Sequence, residues 1–206
     1  MTHQKNIVTA GVPLSQAKKA LIMIHGRGAG AQDIISLATY LNVGDYALLA
    51  PQASGHTWYP YSFMAPVAQN EPGLSSAISI LESIVADVIA AGIPASNIYF
   101  LGFSQGACLT LEYVTRHAQQ YGGVVAFTGG LIGASLEMSN YKGDFAGTPV
   151  FIGSSDPDMH VPVTRVRESE TIMKTMGADI TVKVYPGMGH TVSQDEVETA
   201  NALVFK

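Results

Sequence analysis

The pattern Gly-x-Ser-x-Gly at residues 102–106 constrains the fold of this chain more than any other feature. Residues 97–101 before it are aromatic and branched, as in a buried strand, and residues 107–114 after it have the apolar spacing of a helix. A serine at so sharp a turn is held in a strained conformation, and the flanking glycines avoid collisions with neighbouring backbone. The pattern therefore predicts an exposed, nucleophilic hydroxyl on Ser104, with an ordinary glycine-rich turn as the alternative.

Two backbone N–H groups are candidates for stabilising negative charge next to Ser104. One belongs to Gln105, which begins the predicted helix, where unpaired donors and the helix dipole favour an anion. The other belongs to Arg27, in a glycine-rich loop at residues 25–30 that follows an apolar strand. A phosphate-binding loop is the alternative there, but the segment has neither a Walker lysine nor the last glycine of Gly-x-Gly-x-x-Gly. We expect Arg27 and Gln105 to form an oxyanion hole.

Apolar runs alternate with helical segments along the whole chain. Continuous apolar runs such as residues 20–24 indicate strands that are buried on both faces of a parallel sheet. The alternation predicts an α/β fold with a mostly parallel central sheet and helices on both faces. The predicted strands are 6–12, 18–25, 46–50, 97–101, 123–128, 149–153 and 179–185, the other helices are 32–41, 72–92, 163–176 and 196–205, and 135–147 is a surface loop.

The composition limits what such a chain can bind. The 206 residues are 47% hydrophobic without a linker-like stretch, which predicts a single domain over residues 1–206. A net charge of −5 without a basic cluster excludes a nucleic-acid partner. The single cysteine and the polar N-terminus predict a cytoplasmic protein, because neither a disulfide nor a signal peptide is indicated. The apolar run within residues 81–93 is too short and too polar for stable membrane insertion.

An irregular segment at residues 52–73 is rich in aromatic side chains. Long loops without regular structure are usually functional or disordered, and this one is too aromatic to be disordered. We expect Trp58, Tyr59 and Tyr61 to form a substrate-binding wall. The alternative is that these rings only close the edge of the core.

Two loops after Ser104 follow predicted strands and contain residues that could activate it. Catalytic groups collect at the carboxyl ends of parallel strands. His190 comes after the last strand and is the expected base, with His160 as its competitor. Asp156, closest to the end of its strand, is the expected partner of that base, because a buried aspartate fixes the imidazole tautomer. Asp158 is expected to be solvated or to cap the loop.

Asp158 and His160 could also be read as metal ligands. No cysteine or further His/Asp cluster in the sequence completes a ligand set, so neither a metal nor another cofactor is expected. The chain order of serine, aspartate and histidine is the one found in α/β-hydrolase triads.

Four motifs, whose order and spacing cover nearly the whole chain, are His25-Gly26-x-Gly28, Gly102-Phe103-Ser104-Gln105-Gly106, Asp156-Pro157 with Val161-Pro162, and Gly189-His190. In these motifs the chain resembles the phospholipase/carboxylesterase family of α/β-hydrolases, which includes the acyl-protein thioesterases. The resemblance implies a hydrolase fold without a cap domain and a small-molecule ester or thioester substrate. It also implies a triad of Ser104, Asp156 and His190, the oxyanion hole of Arg27 and Gln105, and a place for Trp58 in the site.

Three features depart from the family pattern. Arg27 stands where members commonly have an apolar residue, and Tyr59-Pro60 follows the tryptophan in place of an aromatic residue and an aspartate. Members usually have the compact pattern Asp-Pro-x-Val-Pro, whereas two extra residues here separate Asp156-Pro157 from Val161-Pro162. We expect a preference for small or short-chain esters, since a guanidinium and bulky rings do not make a continuous apolar groove.

Two other functions remain open from the sequence. A dienelactone-hydrolase-like enzyme would use Arg27 to bind a substrate carboxylate, although that family typically has a cysteine nucleophile. A catalytically silent hydrolase fold that binds a ligand is the second alternative. The oligomeric state is also open, with a homodimer as one option.

Overall fold

A seven-stranded sheet forms the centre of the computed structural model, which describes residues 2–206. The order across the sheet is β1-β3-β2-β4-β5-β6-β7, with β1 antiparallel to β3 and the other neighbours parallel. The predicted mostly parallel sheet is therefore confirmed. The strands are β1 (Ile7–Gly11), β2 (Lys19–Ile24), β3 (Tyr46–Pro51), β4 (Ile98–Phe103), β5 (Gly123–Phe127), β6 (Pro149–Asp156) and β7 (Asp179–Pro186).

Helices cover both faces of this sheet, as the sequence predicts. The cluster on one face includes side chains of α3, α4 and α5, and the cluster on the other includes side chains of α1 and α6. This arrangement confirms the α/β-hydrolase fold. The helices are α1 (Ala31–Ser36), α2 (Val67–Asn70), α3 (Gly73–Ala90), α4 (Gln105–Arg116), α5 (Val163–Thr175) and α6 (Gln194–Leu203).

Strand β2 shows why the centre of the sheet is so apolar. Leu21 and Met23 belong to the cluster on one face and Ile22 and Ile24 to the cluster on the other, and all four side chains are fully buried. Each such side chain contributes about 1.5–3 kcal/mol by leaving water. The continuous apolar run is therefore a consequence of having two covered faces.

The longest helix, α3, is apolar enough by length and composition to cross a membrane, with a mean hydropathy of 1.6. In the fold, its stripe from Leu74 through Leu81 to Val88 packs against the sheet, as a core helix does. The sequence pattern also places Ile89 on this stripe, but its side chain is 47% exposed. The buried face passes through Ile84 and Val88 instead.

Candidate active site

The turn between β4 and α4 has the strained geometry that the glycine pattern predicts. Ser104 has φ 55° and ψ −118°, a backbone conformation that residues other than glycine rarely adopt. A Cβ atom on Gly102 would overlap the carbonyl oxygen of Gly106, and a Cβ atom on Gly106 would overlap the carbonyl oxygen of Ile24. Both glycines are therefore required where helix, turn and neighbouring strand approach one another.

A chain of two hydrogen bonds connects this serine to a histidine and an aspartate. Ser104 Oγ lies 2.8 Å from His190 Nε2, and His190 Nδ1 lies 2.8 Å from Asp158 Oδ2. Because a carboxylate only accepts, it holds the imidazole proton on Nδ1 and leaves Nε2 free to accept the proton of the serine hydroxyl. The arrangement has the geometry of a nucleophile, a general base and an orienting acid.

The Asp158 side chain is buried, whereas that of His190 is 22% exposed. Burial disfavours the ionised carboxylate, but the hydrogen bond from His190 and those from two backbone N–H groups favour it. These N–H groups, of His160 and Val161, donate to Asp158 Oδ1 over 2.8 and 2.9 Å. The hydrogen bonds outweigh burial and lower the pKa of Asp158, so this carboxylate is ionised at neutral pH.

The geometry corrects the expectation that Asp156 is the partner of the histidine. Strand β6 continues three residues beyond its predicted end at Gly153, and Asp156 is still paired with Pro186 on β7. Its side chain is exposed, and its carbonyl accepts from the N–H of Gly187 over 2.9 Å. The sequence contained the signal for the correct residue, because the family spacing Asp-Pro-x-Val-Pro, counted back from Val161, gives Asp158.

One residue near the triad was missed by the sequence reasoning. Ser155 is buried, and its hydroxyl accepts a hydrogen bond of 2.9 Å from the N–H of Gly189, next to His190. It thereby joins the end of β6 to the loop that carries the histidine. Nothing in the sequence pattern distinguishes this serine from others at strand ends.

The competing base, His160, lies beside His190 and not beside Ser104. The two imidazole rings meet edge to face, with centroids 4.8 Å apart and planes inclined at 72°. His160 is exposed and lines the same cavity as the triad.

The two expected oxyanion donors both border the cavity in front of Ser104. Gln105 is the first residue of α4, so its N–H belongs to the unpaired group at the helix N-terminus. Within residues 2–206, neither this N–H nor that of Arg27 has an acceptor. Two free donors close to a nucleophilic hydroxyl are what an oxyanion hole requires.

The cavity has a volume of about 390 Å³. Its apolar wall consists of buried side chains that include Phe63 and Val161, whereas Tyr61 at its edge is 58% exposed. The full lining is Arg27, Tyr59, Pro60, Tyr61, Ser62, Phe63, Ser104, Gln105, Cys108, His160, Val161 and His190.

Of the three aromatic residues expected in the substrate wall, the structure places two there. Tyr59 and Tyr61 line the cavity, but Trp58 is fully buried and does not. The indole of Trp58 donates from Nε1 to the carbonyl of His25 over 2.9 Å, and its backbone N–H donates to Gln105 Oε1. Its polar atom thus finds an acceptor inside the core, which corrects the expectation for this residue.

His25 is a buried residue that binds the backbone around the site. Its Nδ1 lies 2.8 Å from the carbonyl of Gly26, and its Nε2 accepts from the N–H of Ala53 over 3.1 Å. Burial lowers the pKa of His25, so the ring is neutral, and it holds Gly26, the first glycine of the glycine-rich loop.

A family model described as phospholipase/carboxylesterase matches residues 6–204. The chain belongs to the phospholipase/carboxylesterase family. This membership covers nearly the whole chain and confirms the resemblance found in the sequence.

Relatives of this family member extend from bacteria to fungi and plants. A crystal structure of a phospholipase/carboxylesterase from Dyadobacter fermentans is 57% identical, covers 100% of this chain and 99% of that one, and has a TM-score of 0.99. Acyl-protein thioesterase 1 of Debaryomyces hansenii is 30% identical, with 89% of each chain covered. A probable carboxylesterase, SOBER1-like, of Arabidopsis thaliana is 29% identical over 63% of this chain. The chain spans about half the length of this relative and of a probable carboxylesterase of Oryza sativa, 50% and 51%.

Proposed function

We propose that the protein is a serine-dependent carboxylic ester hydrolase with a triad of Ser104, His190 and Asp158. One observation carries the proposal: the serine hydroxyl, the imidazole and a buried carboxylate are joined by two hydrogen bonds of 2.8 Å. In the described residues this is the only place where a serine at a strained turn meets a histidine with a carboxylate behind it.

In the first half-reaction, His190 Nε2 accepts the proton of Ser104 as Oγ attacks the carbonyl carbon of the ester. Asp158 stabilises the imidazolium ion that forms. The carbonyl oxygen becomes an oxyanion, which the N–H groups of Arg27 and Gln105 stabilise. When the carbon–oxygen bond to the alcohol breaks, the imidazolium gives its proton to the leaving alkoxide, and an acyl-enzyme remains.

In the second half-reaction, water takes the place of the alcohol. His190 removes a proton from the water, whose oxygen attacks the acyl carbon, and the same N–H groups stabilise the second oxyanion. Collapse of this intermediate breaks the bond to Ser104 Oγ, and His190 returns the proton to the serine. The products are a carboxylic acid and the free enzyme.

The cavity favours small or short-chain acyl groups. It is closed on its buried side by side chains such as Phe63 and Val161, which are 6% and 2% exposed. A long acyl chain gains about 0.8 kcal/mol for each methylene that it buries, but only along a continuous apolar groove. Here the polar Arg27 and His160 also line the space, so few methylenes gain that energy.

Thioester hydrolysis is a second candidate, and the comparison with relatives favours it. Acyl-protein thioesterase 1 of Debaryomyces hansenii shares 30% of its residues with this chain over 89% of both lengths. The same acyl-enzyme chemistry cleaves an ester or a thioester, because only the leaving group differs. We therefore propose acyl thioesters as a second substrate class for the same triad.

A dienelactone-hydrolase-like reaction has less support. The cysteine of this chain, Cys108, is fully buried one helical turn after the serine, and burial raises the pKa of its thiol to about 12. Such a thiol is not a thiolate at neutral pH and is a poor nucleophile. The Arg27 guanidinium, which would bind the substrate carboxylate, already donates to three carbonyl oxygens.

The deciding experiment combines a covalent probe with a substrate series. A fluorophosphonate should label Ser104 in the native protein, as mass spectrometry of the modified peptide would show, and should not label Ser104→Ala. Specificity constants for aryl esters from acetate to palmitate, together with an acyl thioester, would then give the substrate class. An unlabelled native protein without ester turnover would leave only the ligand-binding alternative. The cytoplasmic location and a homodimer stay predictions, which fractionation and size measurements in solution would address.

A further inference from the structure

The side chain of Arg27 is attached to the backbone of another segment. Its Nη1 donates to the carbonyl of Pro60 over 3.0 Å, and its Nη2 donates to the carbonyls of Tyr59 and Tyr61 over 2.9 and 2.8 Å. Three consecutive carbonyls are thus bound by one guanidinium, whose planar donors suit such an arrangement better than a lysine ammonium would.

The same segment is attached to Gln105. Gln105 Oε1 accepts from the N–H of Trp58 over 2.9 Å and from the hydroxyl of Thr57 over 3.2 Å, and its Nε2 donates to the carbonyl of Tyr59 over 2.8 Å. We call residues 57–61 the wall segment, because Tyr59, Pro60 and Tyr61 line the cavity.

The two residues that hold the wall segment are therefore the two cavity-lining residues whose backbone N–H groups are the proposed oxyanion donors. We propose that the Arg27 side chain is a positioning residue: by binding the wall segment, it fixes the place of its own N–H in the oxyanion hole. The proposal rests on the ester hydrolase function given above. It assigns the guanidinium no contact with the substrate.

The loop around Arg27 is anchored at the carbonyl of Gly26, which binds His25 Nδ1 over 2.8 Å, but within the described residues the N–H of Arg27 itself has no such anchor. Gly26 and Gly28 flank the arginine, and Gly28 has φ +80°. Glycines have more conformational freedom than other residues, so they do not hold a neighbouring N–H in place by themselves. The N–H of Gly28 donates to the carbonyl of His56 over 2.8 Å, but that of Arg27 has no acceptor in residues 2–206. The three side-chain hydrogen bonds are the added constraint.

A binding site for a substrate anion is the competing role for this arginine. Within residues 2–206, no carboxylate lies within 4 Å of its guanidinium, so its charge is not neutralised by a partner. The donors that bind the carbonyls point at the wall segment, however, which favours positioning. The two roles differ in which substrates are affected by removing the side chain.

The test uses substitutions that keep the backbone N–H of residue 27. Arg27→Ala removes the whole guanidinium, and Arg27→Lys keeps the charge but replaces the planar fork with one ammonium. Arg167→Ala is the matched control, because that arginine is an exposed residue of α5 that pairs with Glu170. Each variant is compared with the native enzyme in kcat and KM for a neutral short-chain aryl ester and for an ester with a free carboxylate. The affinity for phenylboronic acid, which forms a tetrahedral adduct with a catalytic serine, is measured as well.

We expect Arg27→Ala to lower kcat by about 10²-fold on both esters, because a displacement of about 1 Å in a catalytic group costs roughly that much. KM should change by less than about 3-fold, and the affinity for the boronic acid should fall in the same proportion as kcat. Arg27→Lys should lie between Arg27→Ala and the native enzyme. Guanidinium ion at tens of millimolar should restore part of the activity of Arg27→Ala, but should not stimulate Arg167→Ala.

Three results would overturn the proposal. An unchanged kcat with a raised KM on both esters would mean that the side chain only shapes the wall. A loss confined to the carboxylate-bearing ester would establish the anion site instead. An unchanged kcat in both Arg27 variants would mean that the side chain does not position the N–H group. If Arg27→Ala does not fold, the kcat of Arg27→Lys alone tests the proposal. Failure of the proposed function is seen separately, as absent fluorophosphonate labelling of the native protein.

Discussion

Asp158 Oδ2 lies 2.8 Å from His190 Nδ1, whereas the side chain of Asp156, two residues earlier, is exposed at the end of β6. The two aspartates therefore differ sharply in what an amide would do. Asn at position 158 can present its NH₂ group to the histidine and then favours the wrong imidazole tautomer, an exchange that costs about 10⁴-fold in kcat in a serine protease.

We expect Asp158→Asn to lower kcat by about 10³- to 10⁴-fold and Asp156→Asn to change it by less than about 3-fold. Both proteins should melt within a few degrees of the native one, so that the comparison reports chemistry. Steady-state kinetics with an aryl acetate would measure kcat of the two variants and of the native protein. A larger loss of kcat in the Asp156 variant would mean that Asp156, at the end of β6, is the acid of the triad.

Ser104→Ala should abolish turnover without disturbing the turn. Alanine keeps the Cβ atom, and the backbone N–H of residue 104 can still donate to the carbonyl of Phe127, over 2.9 Å in the native protein. We expect kcat to fall by about 10³-fold or more, with any residual rate coming from the oxyanion hole and binding. Circular dichroism and the melting temperature would check the fold. Ordinary ester hydrolysis by this variant would contradict the proposed mechanism.

The two neighbouring histidines should respond differently to removal. His190→Ala removes the proposed base, which contacts Ser104, and should cost about 10³-fold or more in kcat. His160→Ala should cost less than about 10-fold, because its ring only packs against His190, and the N–H that donates to Asp158 is retained in any residue. Activity of both variants would be compared on one short-chain ester. Equal losses would mean that His160 takes part in proton transfer.

The elements that the sequence predicts best are those determined by neighbours in the chain. The turn at Ser104 depends on two glycines and on its own flanks, so residues 97–114 already contain the whole signal. The buried strands of the sheet are equally local, since a parallel strand with two covered faces has to be a continuous apolar run.

The errors arise where long-range pairing or burial decides. Ser154 and Ser155 are polar, so the apolar run ends at Gly153, yet both are buried and paired with β7. That pairing moves the start of the loop by three residues, and the acid lies two residues after its predicted position. Trp58 is buried because His25 and Gln105, distant in sequence, provide acceptors for its N–H groups, and no local pattern contains that information.

The buried carboxyl group of Glu196, on α6, predicts that the stability of the fold depends on pH. Glu196 Oε2 accepts from the N–H of Ser193, but Oε1 is buried against Gly153 and has no partner in the described residues. Burial raises the pKa of Glu196 above its ordinary value, although the hydrogen bonds from Ser193 oppose this. The folded state thus keeps its proton to a higher pH than the unfolded state does.

The sign follows from proton binding. Between the unfolded pKa, about 4.3, and the raised folded pKa, the unfolded state binds fewer protons, so the free energy of unfolding falls as pH rises. Glu196→Gln, which keeps a capping side chain at this position, should remove that slope. Urea unfolding would measure the free energy of unfolding of both proteins from pH 4 to pH 7. We expect the value for the variant to rise relative to the native value over this range, by about 1.4 kcal/mol for each unit by which the pKa of Glu196 is raised. Glu198→Gln, on the exposed side of the same helix, is the control. Its free energy of unfolding should depend on pH in the same way as that of the native protein.

The buried end of the cavity should determine acyl length. Phe63 lines it and is 6% exposed, so its ring occupies space that a longer acyl chain would need. Leucine at this position shortens the side chain and stays apolar, and alanine opens more space at a cost of about 3–5 kcal/mol in stability. Because each additional buried methylene contributes about 0.8 kcal/mol, every methylene that the enlarged cavity accepts should raise kcat/KM about 4-fold relative to native.

We expect the optimum in an aryl ester series from acetate to palmitate to lie at short chains in the native enzyme and to move to longer chains in the order Phe63→Leu, then Phe63→Ala. Tyr61→Ala, which removes an exposed ring at the edge, should leave the optimum in place. A native optimum at long chains, or a shift produced by the Tyr61 variant alone, would place the acyl chain along the exposed edge and contradict the short-chain assignment.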